Sequence, residues 1–270
     1  MSEKIIELWE GNAPLYNGEA NPTFEFYPAQ NKRGRGTVVI CPGGGYWNHA
    51  PYEGKNYAEF LNDCGLDVFV LNYRVASTHN KFPSSLLDAR RAIRYVRANA
   101  EKYGIDPEKI AIMGSSAGGH LAALTSTYKK PIDGEGVDEL DKVCPFPNAQ
   151  ILCYPVTNYE SHNGSYNNLL GAEHTEEERL ALTPNLLVDD TTPPAFIWHT
   201  FEDASVAVAS TYDYVTRLKE HNIPTELHVY PYGRHGLGLG NLPERGVVPH
   251  VQSWAGLLEN WLKLFGYIGE

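Results

Sequence analysis

The sequence is short of positive charge and contains no long apolar run. Of its 270 residues, 22 are Lys or Arg and 33 are Asp or Glu, which gives a formal net charge of -11. A surface of this sign repels phosphate backbones, so we expect no nucleic-acid partner. The first seven residues mix charges of both signs and lack the apolar stretch of a signal peptide or a membrane span. We therefore expect a cytoplasmic protein that does not bind membranes.

Cysteine is also scarce, and no two of the four cysteines form a Cys-x-x-Cys pair. This spacing supports neither a disulfide framework nor a thiolate zinc site. We expect no metal or other cofactor, and we interpret all four cysteines as buried apolar thiols. They are Cys41, Cys64, Cys144 and Cys153.

What the sequence does contain is an alternation of short β-rich apolar runs with helix-like segments, without an internal repeat or a low-complexity linker. This alternation predicts an α/β fold with a mostly parallel central sheet and helices on both faces. One domain over residues 1–270 is the favoured organisation at this length. The predicted strands span 37–41, 67–73, 109–113, 149–154, 195–199 and 225–230, and the predicted helices span 56–64, 84–103, 117–124 and 251–264.

The predicted helix 84–103 is amphipathic. Its apolar residues from Leu86 to Val96 recur at helical spacing, while its arginines fall largely on the other faces. We expect a surface helix that packs its apolar face on the sheet. The arginines are Arg90, Arg91, Arg94 and Arg97.

Residues 155–194 differ in composition from the rest of the chain. They are polar and rich in Asn, with an acidic helix-like piece at 175–180. Such a segment is typical of a cap or lid inserted over the active edge of the sheet. A solvated excursion with no role at the site explains the composition equally well, and the sequence does not decide between these two interpretations.

A nucleophile is indicated by Gly114-Ser115-Ser116-Ala117-Gly118, which lies between a predicted strand and a predicted helix. In this position the Gly-x-Ser-x-Gly pattern is typical of a nucleophile elbow, a turn so tight that its serine adopts a strained backbone conformation. The flanking glycines remove the Cβ atoms that would clash there. We therefore predict Ser116 as the nucleophile, with the Ala117 N–H directed at the same point.

A serine hydroxyl needs a base to take its proton and an acid to orient that base. Behind a nucleophile elbow these partners follow in the chain order Asp or Glu, then His. Asp203 follows the predicted strand 195–199 and His235 follows the predicted strand 225–230, so both lie at the carboxyl edge of the sheet beside the elbow. We predict Asp203 as the acid and His235 as the base.

Other residues fit these two roles less well. His228 lies within a predicted strand, and His250 begins the last predicted helix. His120 lies beyond the elbow on the next helix, where a packed or helix-capping histidine is the better interpretation. The alternatives for the acid are Glu202, Asp189 and Asp190.

Acyl transfer also needs N–H donors aimed at the developing oxyanion. Three successive glycines, Gly43, Gly44 and Gly45, follow the predicted strand 37–41 and leave backbone N–H groups open to close approach by a substrate. A glycine run is also found in phosphate-binding loops, but the Lys-Ser/Thr ending of a P-loop is absent here. We therefore predict an oxyanion loop.

Together these motifs resemble the α/β-hydrolase superfamily, and within it the acetyl esterase, lipase and acetylxylan esterase-like branch, from about residue 36 to the end of the chain. The resemblance implies that Gly44, Gly45 and Ala117 donate to the oxyanion. At Ala207 the sequence departs from the branch, which often has proline there, and this departure concerns the rim of the acyl pocket. The similar segments are Pro42-Gly43-Gly44-Gly45-Tyr46 with Glu53-Gly54, Gly114 to Ala122, Trp198 to Val206 and Gly233 to Leu239.

The resemblance implies a serine carboxylesterase that acts on a small-molecule ester through an acyl-serine intermediate. Short-chain esters, foremost acetyl groups on xylo-oligosaccharides, are the favoured substrates. Tyr46, Trp47 and Tyr154 are candidates for walling the pocket and stacking on a sugar, although aromatic residues beside a sheet more often belong to the core.

Two alternatives to the esterase function stay open at this stage. One is an aryl formamidase or a peptidase with the same three residues. The other, from a different class, is a ligand-binding protein that uses this fold without catalysis. The sequence does not determine the oligomeric state, and it is compatible with a homo-oligomer.

Overall fold

The computed structural model describes residues 4–269, in which eight strands form one sheet with the order β1-β2-β4-β3-β5-β6-β7-β8. Strands β3 to β8 run parallel, whereas β1 pairs with β2 and β2 with β4 in the antiparallel direction. The prediction of a mostly parallel sheet is confirmed. The strands are β1 (Lys4–Glu7), β2 (Thr23–Tyr27), β3 (Thr37–Cys41), β4 (Asp67–Asn72), β5 (Ile110–Ser115), β6 (Ala149–Cys153), β7 (Ala195–Thr200) and β8 (Thr225–Tyr230).

Helices cover both faces of the sheet. Val38 and Val39 are neighbours in β3 but belong to different buried clusters, because successive side chains of a strand point to opposite faces. Helices α2, α4 and α7 pack in the cluster with Val39, and α1 and α8 pack in the cluster with Val38. The helices are α1 (Lys55–Asp63), α2 (Ser84–Ala98), α3 (Ala100–Tyr103), α4 (Ala117–Thr127), α5 (Asn163–Leu170), α6 (Glu176–Ala181), α7 (Ala209–Glu220) and α8 (Ser253–Leu264).

Helix α2 is not the surface helix that its periodicity predicts. Arg90, Arg91 and Arg94 are each at most 5% exposed. Glu135 lies 2.9 Å from both Arg90 and Arg94, and Asp138 lies 2.6 Å from Arg91. Helical periodicity reports which side of a helix is apolar, but it does not report which later segment covers the polar side. Here the segment around residues 135–141 covers it with carboxylates.

The cysteines are all free thiols. Three are buried, as predicted, but Cys144 is exposed because it lies in the irregular segment that precedes β6. Within residues 4–269, no group of three or more His, Cys, Asp and Glu side chains is arranged to hold a metal ion. No helix in this part of the chain is both long and apolar enough to cross a membrane.

Residues 155–194 contain α5, α6 and a short 3-10 helix, Pro184–Leu186. Helix α6 begins at a capping box, in which the side chains of Thr175 and Glu178 each accept the backbone N–H of the other. Helix α5 reaches the three consecutive glycines 43–45, here called the glycine loop. The side-chain amide of Asn168 donates to the carbonyl of Gly45 at 2.8 Å. The segment therefore contacts the predicted oxyanion loop.

Candidate active site

Ser116 occupies a sharp turn between β5 and α4. Its backbone has φ 54° and ψ -119°, a left-handed value of φ that is uncommon for a residue with a side chain. A Cβ atom at Gly114 would lie 2.1 Å from the carbonyl oxygen of Gly118, and one at Gly118 would lie 2.1 Å from the carbonyl oxygen of Cys41. Both flanking positions therefore require glycine, and the turn presents Ser116 at the carboxyl end of β5.

The structure brings Ser116, His235 and Asp203 together in one hydrogen-bond chain. His235 Nε2 lies 2.8 Å from Ser116 Oγ, and His235 Nδ1 lies 2.6 Å from Asp203 Oδ2. An ionised carboxylate only accepts hydrogen bonds, so the ring proton of a neutral His235 sits on Nδ1 and Nε2 accepts from the serine hydroxyl. This is the tautomer that a base acting on Ser116 needs.

Asp203 is surrounded by donors. Its Oδ1 accepts the N–H groups of Ser205 and Val206, both at 2.9 Å, and its Oδ2 also lies 3.2 Å from His199 Nε2. Burial alone raises the pKa of Asp203, but the hydrogen bonds from His199, His235 and Val206 outweigh burial and hold the pKa well below its ordinary value. Asp203 is therefore an orienting carboxylate at neutral pH.

The alternative acids have other partners. Glu202 accepts the N–H of Gly233 at 2.8 Å, and Asp190 lies 2.6 Å from His221 on the surface. Among the described residues, neither of them forms a hydrogen bond with the predicted base, and the same holds for Asp189.

All three carbonyl groups of the glycine loop accept hydrogen bonds, which fixes the orientation of its peptide planes. Within residues 4–269, no acceptor contacts the N–H of Gly44 or of Gly45. Ala117 is the first residue of α4, so its N–H has no acceptor within the helix. These three N–H groups are available to an oxyanion. The donors to the carbonyls of Gly43, Gly44 and Gly45 are the N–H of Ala50, the N–H of Trp47 and the amide of Asn168, at 2.8, 3.1 and 2.8 Å.

The three aromatic candidates for substrate contact lie in different surroundings. Trp47 exposes 55% of its surface, so its ring can stack on a ligand. Tyr46 and Tyr154 are only 2% exposed, and their hydroxyls bond to His120 and Glu53. Neither tyrosine offers a ring face to a sugar in this structure, which does not support a stacking role for them. Both belong to the walls that support the site.

His120 is a buried link between α4, the residue that follows the glycine loop, and residues 155–194. The Tyr46 hydroxyl lies 2.7 Å from its Nδ1, and the Leu182 carbonyl lies 2.9 Å from its Nε2. Because a carbonyl only accepts, Nε2 carries the proton and Nδ1 accepts from Tyr46. Burial lowers the pKa of His120 to about 4, against the hydrogen bond from Nε2 to Leu182. The packed histidine is thus a neutral support.

Replacing His120 with Gln is expected to make the fold less sensitive to acid. The pKa of His120 is about 4 in the folded state, below the ordinary 6.5, so between these values the folded state binds fewer protons than the unfolded state. The contribution of neutral His120 to the free energy of unfolding is therefore complete above pH 6.5 and is lost as the pH falls to 4. Over that range the wild type should lose about 3 kcal/mol in free energy of unfolding that His120→Gln retains. Urea titrations at pH 7 and pH 4 measure the difference. His79→Gln, at an exposed histidine, is the control, and an equal acid loss in His120→Gln would contradict the prediction.

Two contributors to the site were missed by the sequence analysis. His199 is the last residue but one of β7 and lies against the acid, and its position four residues before Asp203 was an available signal. Glu53 entered only as part of a motif, yet its carboxylate lies under the glycine loop and accepts the N–H of Gly43 at 2.8 Å. No local sequence pattern predicts that contact, because the tertiary fold brings the carboxylate to the loop.

The fold and the site together define an α/β-hydrolase enzyme. The sheet is mostly parallel, a strained serine follows β5, and an aspartate and a histidine follow β7 and β8. Comparison with protein families agrees: the model of the BD-FAE family matches residues 25–218. The chain belongs to this family.

One of the similar proteins has a solved structure that matches nearly the whole of this chain. A crystal structure of an acetyl ester-xyloside bifunctional hydrolase from Caldicellulosiruptor lactoaceticus has a TM-score of 0.90 and 38% sequence identity, and the match covers 98% of this chain and 97% of that one. The chain is also 35% identical over 242 residues to endo-1,4-beta-xylanase B of Butyrivibrio fibrisolvens and 33% identical over 219 residues to an acetylxylan esterase of Xylanibacter ruminicola. Those alignments cover 87% and 78% of this chain but 38% and 42% of the relatives, so the chain spans about two fifths of their length.

Proposed function

We propose that the protein hydrolyses short-chain carboxylic esters, foremost acetyl esters, through an acyl-Ser116 intermediate. The observation that carries this proposal is the unbroken hydrogen-bond chain from Ser116 through His235 to Asp203, next to three N–H groups that have no acceptor among residues 4–269. Nucleophile, base, acid and oxyanion donors then belong to one site, as acyl transfer requires.

The reaction proceeds in two similar halves. Ser116 Oγ attacks the acyl carbon while its proton moves to His235 Nε2, and the N–H groups of Ala117 and the glycine loop stabilise the oxyanion. Cleavage of the C–O bond releases the alcohol, which takes the proton from His235 and leaves the acyl-serine. A water molecule then attacks the acyl carbon in the same way, which frees the acid and restores Ser116. Asp203 stabilises the cationic form of His235 throughout, and the cycle uses no metal or cofactor.

The substrate that we propose is an acetylated xylo-oligosaccharide. The names of two relatives concern xylan, and a similar solved structure is an acetyl ester-xyloside bifunctional hydrolase. Trp47 supports the same choice, because its exposed ring follows the glycine loop by two residues and can pack against the apolar face of a sugar. An amide substrate has no comparable support.

We also propose that residues 155–194 are a cap over the glycine loop within a single hydrolase domain. The hydrogen bond from Asn168 to Gly45 and the hydrogen bond from His120 to Leu182 support this interpretation over a solvated excursion. The cytoplasmic location stays a prediction from the sequence, and the oligomeric state stays open.

A panel of substrates tests the function. Purified protein is assayed with acetylated xylo-oligosaccharides, p-nitrophenyl acetate, an aryl formamide and a peptide amide. We expect acetate release from both acetyl esters and no measurable turnover of the two amides. Turnover of an amide without turnover of the esters would identify a formamidase or a peptidase. A protein that turns over none of them and is not labelled by a fluorophosphonate would be the non-catalytic alternative.

The role of Trp47 in choosing the substrate is tested on the same panel. Trp47→Ala should raise KM for the xylo-oligosaccharides about 5- to 10-fold, the loss of one aromatic contact, and leave KM for p-nitrophenyl acetate unchanged. Tyr212→Ala removes an exposed aromatic ring on α7 and serves as the control. Equal increases in KM for both substrates in Trp47→Ala would argue against sugar stacking.

A further inference from the structure

Glu53 is a buried carboxyl group that has no role in the proposed reaction as described above. It is 2% exposed, and within residues 4–269 no Lys or Arg forms an ion pair with it. A carboxyl buried without a cation lowers the stability of a fold, and burial raises the pKa of Glu53 accordingly. A residue of this kind therefore needs a reason beyond stability.

The two carboxyl oxygens of Glu53 have different partners. Oε2 accepts the N–H of Gly43, the first residue of the glycine loop, at 2.8 Å. Oε1 accepts the hydroxyl of Tyr154 at 2.7 Å. A Cβ atom at Gly43 would lie 2.5 Å from Oε2, so a residue with a side chain at position 43 would collide with the carboxylate. Glu53 thus fixes the point at which the oxyanion loop leaves β3.

Tyr154 continues the connection to the base. Its hydroxyl accepts the N–H of Gly238, in the loop that carries His235, at 3.1 Å. Its ring also packs edge-on against the imidazole of His235, with 5.0 Å between the ring centroids. One glutamate and one tyrosine therefore join the oxyanion loop to the loop of the base. Tyr52 adds a parallel connection, since its hydroxyl donates to the carbonyl of Gly236 at 3.1 Å.

The direction of each hydrogen bond in this connection follows from the groups themselves. A backbone N–H can only donate and a carboxylate can only accept, so the hydroxyl proton of Tyr154 points to Glu53. The lone pairs of that hydroxyl then take the N–H of Gly238 and the hydroxyl of Tyr57, which lies 3.2 Å away. Tyr57 in turn accepts from Ser115 at 3.0 Å. Each hydroxyl and N–H group of this connection has a hydrogen-bond partner when both carboxylate oxygens of Glu53 accept. A glutamine at this position would replace one of the two accepting oxygens with a donating NH₂ group.

We propose that Glu53 and Tyr154 are positioning residues that hold the oxyanion loop and the loop of His235 in one fixed arrangement. The N–H donors and the base then act on the same acyl group. This inference rests on the proposed function for the reaction, but it concerns geometry and not the identity of the ester. A purely structural pair would stabilise the fold without affecting the chemical step.

Tyr154→Phe is the primary variant, because it keeps the ring and removes only the hydroxyl. We expect kcat for p-nitrophenyl acetate to fall about 10²-fold, the effect of a misplacement near 1 Å, with KM changed less than about 3-fold. Tyr214→Phe is the matched control: Tyr214 is also buried and also loses a hydroxyl, which donates to Gln150 at 2.8 Å, near the amino end of β6. Urea unfolding of both variants measures the loss of stability that the substitution itself causes.

A double-mutant cycle tests whether the two residues act as one unit. Glu53→Gln combined with Tyr154→Phe should lower kcat no more than the worse of the two single substitutions. The second-order rate of fluorophosphonate labelling of Ser116 should fall in parallel. Since labelling does not depend on the ester, a wrong substrate assignment leaves this result intact. The inference is overturned by a wild-type kcat and labelling rate in Tyr154→Phe, by equal losses in Tyr214→Phe, or by losses that multiply in the double variant.

Discussion

Replacing Ser116 with Ala should lower kcat for an aryl acetate by about 10⁶-fold, the size of loss seen when a nucleophile is deleted from such a hydrogen-bond chain. The variant keeps His235 and the N–H donors, but no oxygen remains at 2.8 Å from Nε2 to attack the acyl carbon. Water held at the site then sustains only the residual rate that binding and oxyanion stabilisation provide. Steady-state kinetics with p-nitrophenyl acetate and mass spectrometry after fluorophosphonate treatment measure both consequences.

Ser126→Ala is the control for this substitution. Ser126 is buried on α4, the helix that follows the elbow, and its hydroxyl donates to the carbonyl of Ala122 at 2.8 Å. It should retain wild-type turnover and full labelling. Wild-type activity in Ser116→Ala, or labelling of a different serine, would disprove the assignment of the nucleophile.

Asp203→Asn should lower kcat by about 10⁴-fold while Ser116 and His235 stay in place. An asparagine side chain that presents its amide nitrogen donates to Nδ1 of His235, which moves the ring proton to Nε2. That nitrogen then faces Ser116 with a proton and cannot act as the base. The loss should appear in kcat much more than in KM, because substrate binding does not involve the acid.

The matched control is Asp190→Asn. Asp190 also lies 2.6 Å from a histidine nitrogen, that of His221, but this pair is on the surface. The same chemical change should leave kcat within about 2-fold, since isolated surface substitutions seldom affect a fold or a site. If Asp203→Asn retained wild-type kcat, Glu202 would become the candidate for the acid.

The parallel part of the sheet could be predicted because its strands are buried on both faces. Such strands appear in the sequence as uninterrupted apolar runs, and the six predicted ones match β3 to β8 within two residues at each end. The antiparallel strands β1 and β2, at one side of the sheet, were not predicted, since they mix polar with apolar side chains. The burial of the α2 arginines was also beyond the sequence, because their carboxylate partners lie more than 40 residues further along the chain.

The residues of the site also fall into those that the sequence could predict and those that it could not. Ser116, Asp203 and His235 could be proposed because each follows a strand, and the ends of parallel strands meet at one edge of a sheet. The places of Tyr46 and Tyr154 could not be foreseen, because their hydroxyls bond to groups 74 and 101 positions away in the chain. An aromatic residue beside an active site has the same local sequence whether its ring faces the substrate or its hydroxyl faces the core.

The bonded carbonyls of the glycine loop have a consequence for the entropy of the reaction. Since each of the three carbonyl oxygens already has a donor, the dipoles opposite them are oriented before any substrate arrives. In water, solvent dipoles would have to reorient around the growing charge in every turnover, whereas here that ordering is completed once, when the chain folds. The enzyme should therefore show a small activation entropy for acylation, and this part of its rate advantage over the reaction in water should appear as a less unfavourable activation entropy.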